Sequence, residues 1–319
     1  MTGPGETGRG LVTLGETMGL LTPMTAGPLR HAPGLRLSIA GAESNVAIGV
    51  SRLGGAATWI GRVGQDEIGD LVLRELRAEG VTVHAVRDGA PTGLMLKTAS
   101  AAGVTRVSYY RAASAGSRLE PGDLDEAAIA AAGVLHVTGI TPALGLGPAA
   151  AVRAAIEIAR ASGVPVSLDV NYRSALWDAA RAAAAIADLI ACVDIVFAGE
   201  QEAALLVGPA EPEQLARRLS GLGPGQAIIK RGERGSVAWI DGACLHQAAV
   251  GVRAVDPVGA GDAFVAGYLA DLLAGQPPAV RLATAAAAGA FAVTVQGDWE
   301  GLPSRPDLAL LDAPDNVIR

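Results

Sequence analysis

The sequence predicts a three-layer α/β/α protein, with a mostly parallel central sheet, helices on both faces, and a small second β-sheet over one end. Three observations predict it. Short apolar runs alternate with stretches of helical periodicity from Leu11 to Val295. Glycines close many of those stretches, in a chain that carries 42 of them. The rhythm then breaks in two places, Leu35 to Ala40 and Gly93 to Tyr110, which read as β with no helix between Thr92 and Ser114.

Taken in order, Leu11 to Gly15 is the first expected strand, buried and ending at a turn. Ser44 to Leu53 places Val46, Ala47, Val50 and Leu53 at helical spacing and stops at Gly54-Gly55. Thr58 to Val63 predicts a strand, and Ile68 to Glu79 a helix closed by Gly80. Beyond the two β segments the alternation resumes. Strands are expected at Val134 to Val137, Val164 to Val170, Ile195 to Ala198, Ala227 to Lys230 and Ser236 to Ile240. Helices are expected at Pro148 to Ser162, Ala179 to Ala191, Glu200 to Val207, Asp262 to Ala274 and Val280 to Val295. Such strand–helix units build a parallel sheet covered on both sides, and ligands bind beyond the carboxyl ends of its strands. No linker or internal repeat interrupts the pattern. One domain is therefore expected over residues 1–319, with a β lid formed by about 16–40 and 92–113.

Composition narrows the function. Half of the 319 residues are hydrophobic but only 3% are aromatic, so the core is expected to be built from Ala, Val, Leu and Ile. The formal net charge is −7 and no run of Lys and Arg stands out, which argues against a nucleic-acid partner. Cys192 and Cys244 are isolated thiols; they suit a reducing cytoplasm and form no metal motif. Met1 to Gly10 lacks the basic and apolar segments of a signal peptide. Ala127 to Val152 carries no charge, but His136, Thr138, Thr141, Pro142 and Pro148 break it, so no membrane span is expected.

The chemistry concentrates at Asp256-Pro257-Val258-Gly259-Ala260-Gly261-Asp262-Ala263-Phe264, just before a helical pattern. Three small residues let the backbone turn sharply against a ligand. The first amides of the next helix have no internal partners, and with the helix dipole they form an anion site. Asp262 then stands beside any phosphate held there. A capping role alone would explain an aspartate at a helix start, but not the Gly-Ala-Gly run before it.

This motif resembles the C-terminal signature of the ribokinase-like, or PfkB, carbohydrate kinases. The N-terminal signature is similar too: Gly41-Ala42-Glu43-Ser44-Asn45-Val46-Ala47, then Leu53-Gly54, then Gly61-Arg62-Val63-Gly64-Gln65-Asp66 with Gly69. The resemblance spans about residues 11–310. It implies ATP-dependent phosphorylation of a sugar hydroxyl, with ATP and Mg²⁺ as cofactors. Asp262 would be the catalytic base, and the amides of Gly259, Ala260 and Gly261 would stabilise the transferring phosphoryl group. Lys230-Arg231-Gly232-Glu233-Arg234-Gly235 resembles the family's nucleotide loop, which assigns Lys230, Gly232 and Gly235 to ATP. Glu202 matches the acidic residue of an N-x-x-E motif that arranges Mg²⁺, but the Asn position is Gly199 here, and a solvated first-turn glutamate is an equal alternative.

Within the family, several strings resemble 2-keto-3-deoxygluconate kinases: Tyr109-Tyr110-Arg111 with Ser114 to Ser117, Gly139 to Leu144, Ser167 to Arg173, and Gly297 to Gly301. By that resemblance Gly41, Tyr109, Arg111 and Asp298 contact the sugar acid, while Asn171 and Arg173 lie near ATP phosphate and substrate. Arginine suits the task, since it grips a carboxylate with two parallel charge-assisted bonds. Surface charge would be the plain explanation for Arg111, and a structural ion pair for Arg173. Met95 stands where these kinases often carry a substrate-contacting Tyr, so the galactonate epimer, fructose and 5-dehydro-2-deoxygluconate stay open. The exposed edges of a lid sheet suggest a homodimer or larger assembly. Two rivals fit less well. A dinucleotide oxidoreductase needs G-x-G-x-x-G after the first strand, where the chain reads Gly15-Glu16-Thr17-Met18-Gly19. A non-catalytic sugar-acid sensor would not need Asp262 in its glycine turn.

Overall fold

The computed structural model describes residues 9–25, 27–99 and 105–312. The segment before Arg9, and Ala26 and residues 100–104 within the expected lid, lie outside the described residues.

The chain opens with β1 (Leu11–Leu14), β2 (Met18–Pro23) and β3 (Leu35–Ala40), then α1 (Ala42–Arg52), β4 (Ala57–Gly64), α2 (Glu67–Ala78) and β5 (Thr82–Asp88). Next come β6 (Leu94–Ala99), β7 (Thr105–Tyr110), α3 (Glu126–Ala130), β8 (Val134–Thr138), α4 (Leu146–Ala161) and β9 (Val166–Asp169). The second half runs α5 (Ala179–Ile190), β10 (Ile195–Gly199), α6 (Glu200–Val207), α7 (Pro212–Ser220), β11 (Gln226–Lys230), β12 (Ser236–Ile240) and β13 (Ala243–Gln247). It ends with α8 (Ala260–Leu273), α9 (Pro278–Ala292) and α10 (Arg305–Leu308).

Nine strands form the large sheet in the order β13-β12-β11-β10-β9-β8-β1-β4-β5. Seven of them are parallel, from β11 to β5, and β12 and β13 add antiparallel at one edge. A second sheet of four strands has the order β3-β2-β6-β7. This is the three-layer α/β arrangement with a small second sheet that the sequence predicts.

Side chains of the buried strands feed two separate cores. On β10, Ile195 and Phe197 join the layer with α1, α2, α8 and α9, while Val196 and Ala198 join the layer with α4, α5 and α7. Residues alternate faces with period two, and both faces are covered, so the strand reads as one apolar run. Helix α8 is buried along most of its length, from Asp262 to Asp271, because it lies between α1 and α9. Its small residues fit that confined position.

The topology also fixes where a ligand can sit. From β1 the sheet grows in one direction through β4 and β5 and in the other through β8, β9, β10 and β11. A crevice opens beyond the carboxyl ends at such a reversal. The small sheet stands over that end, because β2 and β3 connect the end of β1 to the start of α1.

Six of the described elements carry no clear signal in the sequence: β2, β5, α3, α7, β13 and α10. Strand β5 is a half-exposed edge with Thr, His, Arg and Asp, so its alternation is weak. Strand β13 follows a hairpin at Asp241-Gly242, both with positive φ (50° and 86°), the backbone that Asp-Gly turns favour.

Candidate active site

Helix α8 is entered through Gly259, the residue just before it, whose φ of 82° is left-handed. A Cβ there would lie 2.0 Å from the carbonyl oxygen of Asp298, so only glycine fits on both counts. The first bond of the helix runs from Ala263 N to Gly259 O at 2.9 Å. The amides of Ala260, Gly261 and Asp262 therefore have no acceptor among the described residues. They face the same way as the positive end of the helix dipole. At Gly261 a Cβ would meet only the Lys230 Nζ, at 3.5 Å, which leaves open space beside a cation.

Asp262 is buried and receives a hydrogen bond from Asn45 Nδ2 at 2.9 Å. The same nitrogen reaches Asp298 Oδ2 at 3.5 Å. Burial pushes the Asp262 carboxyl up to about 7, against the pull of Asn45, and the nearby Asp169 carboxylate adds to the rise. Asp298 is pushed up to about 6 by burial, with Lys97 opposing. A carboxylate with its pKa near neutrality, beside unpaired helix amides, can take a proton from a hydroxyl while an anion sits on the amides.

Lys230, at the end of β11, is held by both oxygens of Asp169 at 2.8 and 2.6 Å. Burial alone would lower the Lys230 ammonium, but the carboxylates around it, Asp169 foremost, hold it above its ordinary value. Asn171 adopts a left-handed φ of 43° and lines the same space. Arg173 also lines it. Among the described residues it donates to the Tyr172 carbonyl, at 3.3 Å, and makes no ion pair. Glu202 accepts from Gly199 N at 2.6 Å and Tyr172 N at 2.9 Å, tying the loop after β9 to the start of α6. No group of three metal-ligating side chains occurs among the described residues.

Opposite these residues stands the inner face of the small sheet. Met18, Leu20, Ala40 and Met95 form its apolar patch, with Tyr109 packed against it. Arg111 donates from Nε to Glu16 Oε2 at 2.7 Å, a second nitrogen pairs with the same carboxylate, and its guanidinium lies 5.6 Å from the Tyr109 ring centre. Arg111 is therefore not a free surface charge; it is a partly buried cation already paired with the buried Glu16. Gly41 comes within 2.6 Å, measured from a Cβ position, of the Glu16 carbonyl, so a side chain has no room. Glu43 accepts from the hydroxyls of Thr138 and Thr141, each at 2.6 Å. Burial raises its pKa despite those bonds.

One cleft of about 570 Å³ brings these groups together. Gly41, Tyr109, Arg111, Asn171, Arg173, Glu202, Lys230, Gly259, Gly261, Asp262 and Asp298 all line it. Ala260 lies just behind, at the first position of α8, and Gly232 and Gly235 fall outside the lining. Gly232 and Gly235 belong to a turn anchored to α6, where Arg231 and Arg234 both pair with Glu200. Asn45, Glu16, Glu43 and Asp169 join the cleft region without any expected role, although Asn45, Glu43 and Asp169 lie inside the strings that carry the family resemblance. A larger cavity of about 840 Å³ lies at the amino ends of the strands, lined by Arg9, Arg160 and Asp194 among others, and holds none of the expected residues.

Fold and cleft suit a class of α/β proteins in which a helix entrance opens beside a buried carboxylate. The profile of the pfkB family of carbohydrate kinases matches residues 9–305. The chain belongs to that family and is a carbohydrate kinase, a phosphotransferase. The 2-dehydro-3-deoxygluconokinases of Thermoproteus tenax and Bacillus subtilis are 38% and 37% identical to it, covering 94% and 93% of this chain and 93% and 94% of theirs. A 2-dehydro-3-deoxygalactonokinase of Haloferax volcanii is 35% identical over 90% of this chain and 92% of its own. The crystal structure of a 2-dehydro-3-deoxygluconokinase from Thermotoga maritima superposes with a TM-score of 0.90 at 27% identity, covering 95% of this chain and 98% of that one. An E. coli chain solved in complex with ATP and Mg²⁺ gives 0.88 at 26%, covering 95% and 99%. No helix among the described residues is long and apolar enough to cross a membrane.

Proposed function

We propose that this kinase transfers the γ-phosphoryl group of ATP to a keto-deoxy sugar acid, 2-keto-3-deoxygluconate first among them, giving its 6-phosphate. The observation that carries the reading is Asp262, raised to about 7 and set beside the unpaired amides of α8. Its carboxylate takes the proton of the sugar hydroxyl. The oxygen so exposed forms a bond to the γ-phosphorus as the bond to the bridging oxygen of ADP breaks. The amides of Gly259, Ala260 and Gly261, with Lys230 behind them, hold the charge that develops on the moving group. Asn171, Arg173, Lys230 and the turn at Gly232 and Gly235 are assigned to ATP. Mg²⁺ would be held mainly by the phosphates, with Glu202 facing it through water, and would neutralise their charge.

The acid assignment rests on cation supply and on the relatives. Arg111 and Arg173 both line the cleft. Arg173, without a carboxylate partner among the described residues, has the freer charge for a substrate carboxylate or a phosphate. Tyr109, Gly41 and Asp298 complete the proposed sugar contacts. Met95 supports a second reading, the galactonate epimer, because its own side chain offers no hydroxyl where the resemblance expects a tyrosine. We assign residues 1–319 to one domain, with the small sheet as a lid that excludes water during transfer. Exposed Leu35 and Leu37 on β3 support a homo-oligomer. The proposed compartment is the cytoplasm, where ATP is made and Cys192 and Cys244 stay reduced.

The test is a coupled ADP-release assay with ATP, Mg²⁺ and a panel of 2-keto-3-deoxygluconate, its galactonate epimer, 5-dehydro-2-deoxygluconate, fructose, ribose and adenosine. A keto-deoxy acid is expected to give the highest kcat/KM. A tenfold advantage for fructose or ribose would reject the acid. Binding of sugar acid without any ADP would mark a sensor instead.

A further inference from the structure

We propose that Lys97 is a positioning residue for phosphoryl transfer: from the small sheet, its ammonium holds Asp256 and Asp298 behind the α8 turn and so ties the seating of that sheet to the geometry of the phosphate-binding amides. This rests on the kinase assignment, not on the identity of the sugar. Lys97 shares a face of β6 with Met95, two residues earlier. Met95 lines the cleft; Lys97 does not, and its side chain is 4% exposed. Its Nζ lies 2.6 Å from Asp256 Oδ2, 3.2 Å from the Gly297 carbonyl oxygen and 3.7 Å from Asp298 Oδ1.

What those partners do decides the role. Asp256 Oδ1 accepts from Val258 N and Oδ2 from Gly297 N, each at 3.2 Å. One carboxylate thus joins the strand of chain before Gly259 to the segment at Gly297. The carbonyl of Asp298 lies against Gly259, the residue just before α8. A second strand of the small sheet grips the same segment: Glu300 accepts from Ser38 Oγ at 2.7 Å and from Asp298 N at 3.0 Å. Two strands therefore hold residues 297–300, and those residues hold the turn. A buried ammonium is expensive unless fully paired, and methionine or leucine would continue the apolar face of β6. Removing the ammonium leaves two carboxylates facing each other without a cation, directly behind the anion site.

The experiment compares wild type, Lys97→Ala and Lys97→Met in the ADP-release assay, using whichever sugar the wild type turns over fastest. Both variants are expected to lose on the order of 10- to 100-fold in kcat, the scale of a small misplacement of reacting groups. KM for the sugar should move less than threefold. Propylammonium, which replaces the atoms deleted in Lys97→Ala, should restore at least fivefold in that variant and nothing in Lys97→Met, whose side chain fills the channel. A kcat within twofold of wild type in either folded variant overturns the proposal. So does a deficit that propylammonium leaves untouched, or the failure of both variants to fold, since each makes Lys97 a stabilising contact alone.

Discussion

Asn45 Nδ2 donates to Asp262 Oδ2 at 2.9 Å, joining the first turns of two helices that lie 217 residues apart in sequence. A donor favours the charged form of a carboxyl, so this bond lowers a pKa that burial raises to about 7. Deleting it in Asn45→Ala should move the rising limb of kcat/KM upward by about one pH unit, the equivalent of roughly 1.4 kcal/mol. The variant should fall towards about tenfold below wild type as pH drops under 7, and should approach it above about pH 9. A pH–rate series on both proteins checks this, and an unmoved limb would mean that Asp262 is not the group being titrated.

Asp262→Asn removes the proposed base while keeping its shape. Turnover should fall by about 10²–10⁴, with ATP affinity by calorimetry nearly unchanged. Stability provides an independent check. The folded carboxyl, at about 7, lies above its ordinary value of 3.8. A raised group adds stability below its unfolded pKa and loses it as pH rises through the folded one. Wild type should therefore lose melting temperature relative to Asp262→Asn between pH 4 and pH 8. A constant gap across that window would mean that the carboxyl is solvated.

Much of this site was legible because small residues and charges recur in fixed strings. Gly259 to Asp262 announces a tight turn into a helix, and the structure puts it at the mouth of the crevice. The partners of those residues were not legible. Lys97 interrupts an apolar face of β6, which in a sequence looks like a charge on an exposed edge; it is buried only because Asp256 and Asp298, some 160 and 200 residues on, close over it. Glu16 follows a strand with nothing to mark it, yet it pairs directly with Arg111, 95 residues on. Such pairs arise from three-dimensional closure, and no local periodicity encodes them. Edge strands such as β5 fail for another reason: half-exposed faces relax the alternation that reveals a strand.

Gly259→Ala tests the turn itself. Alanine would have to adopt a φ of 82° with its Cβ 2.0 Å from a backbone carbonyl. Left-handed backbone alone costs about 1–2 kcal/mol for such a residue, and the clash must push Asp298 or α8 aside. We expect kcat to fall more than 100-fold and KM for ATP to rise, while far-UV circular dichroism stays unchanged. Near-normal turnover would show that the amides of this turn do not hold the phosphoryl group.

The two cleft arginines should separate cleanly. Arg111→Ala strips the buried Glu16 carboxylate of its cation, and breaking such a pair costs roughly 3–5 kcal/mol. A marked drop in melting temperature is expected, largely recovered when Glu16→Gln and Arg111→Met are combined. Arg173→Ala disturbs no ion pair with a described residue, so its melting temperature should stay within about 2 °C of wild type. Its kcat/KM should nonetheless fall at least tenfold, from lost contact with a substrate carboxylate or a phosphate. Equal destabilisation by both would contradict the division of labour between them.

Met95 offers the sharpest handle on which sugar is preferred. Its side chain packs with Met18, Leu20 and Ala40 beside Tyr109 and faces the cleft, so at that point β6 presents a methyl and a sulfur where a tyrosine would present a hydroxyl. Met95→Tyr would bring a hydroxyl there. A new hydrogen bond to one epimer is worth about 0.5–1.5 kcal/mol, which is roughly 2- to 12-fold in the ratio of kcat/KM for 2-keto-3-deoxygluconate over its galactonate epimer. Overpacking can cost about 1–3 kcal/mol of stability, so the ratio, not the absolute rate, is the quantity to read, at a temperature where both proteins are fully folded. Discrimination between the epimers should sharpen in the variant. A ratio identical to wild type would show that the epimeric hydroxyl does not approach β6, and the contacts at Tyr109 and Asp298 would then have to distinguish the two sugars.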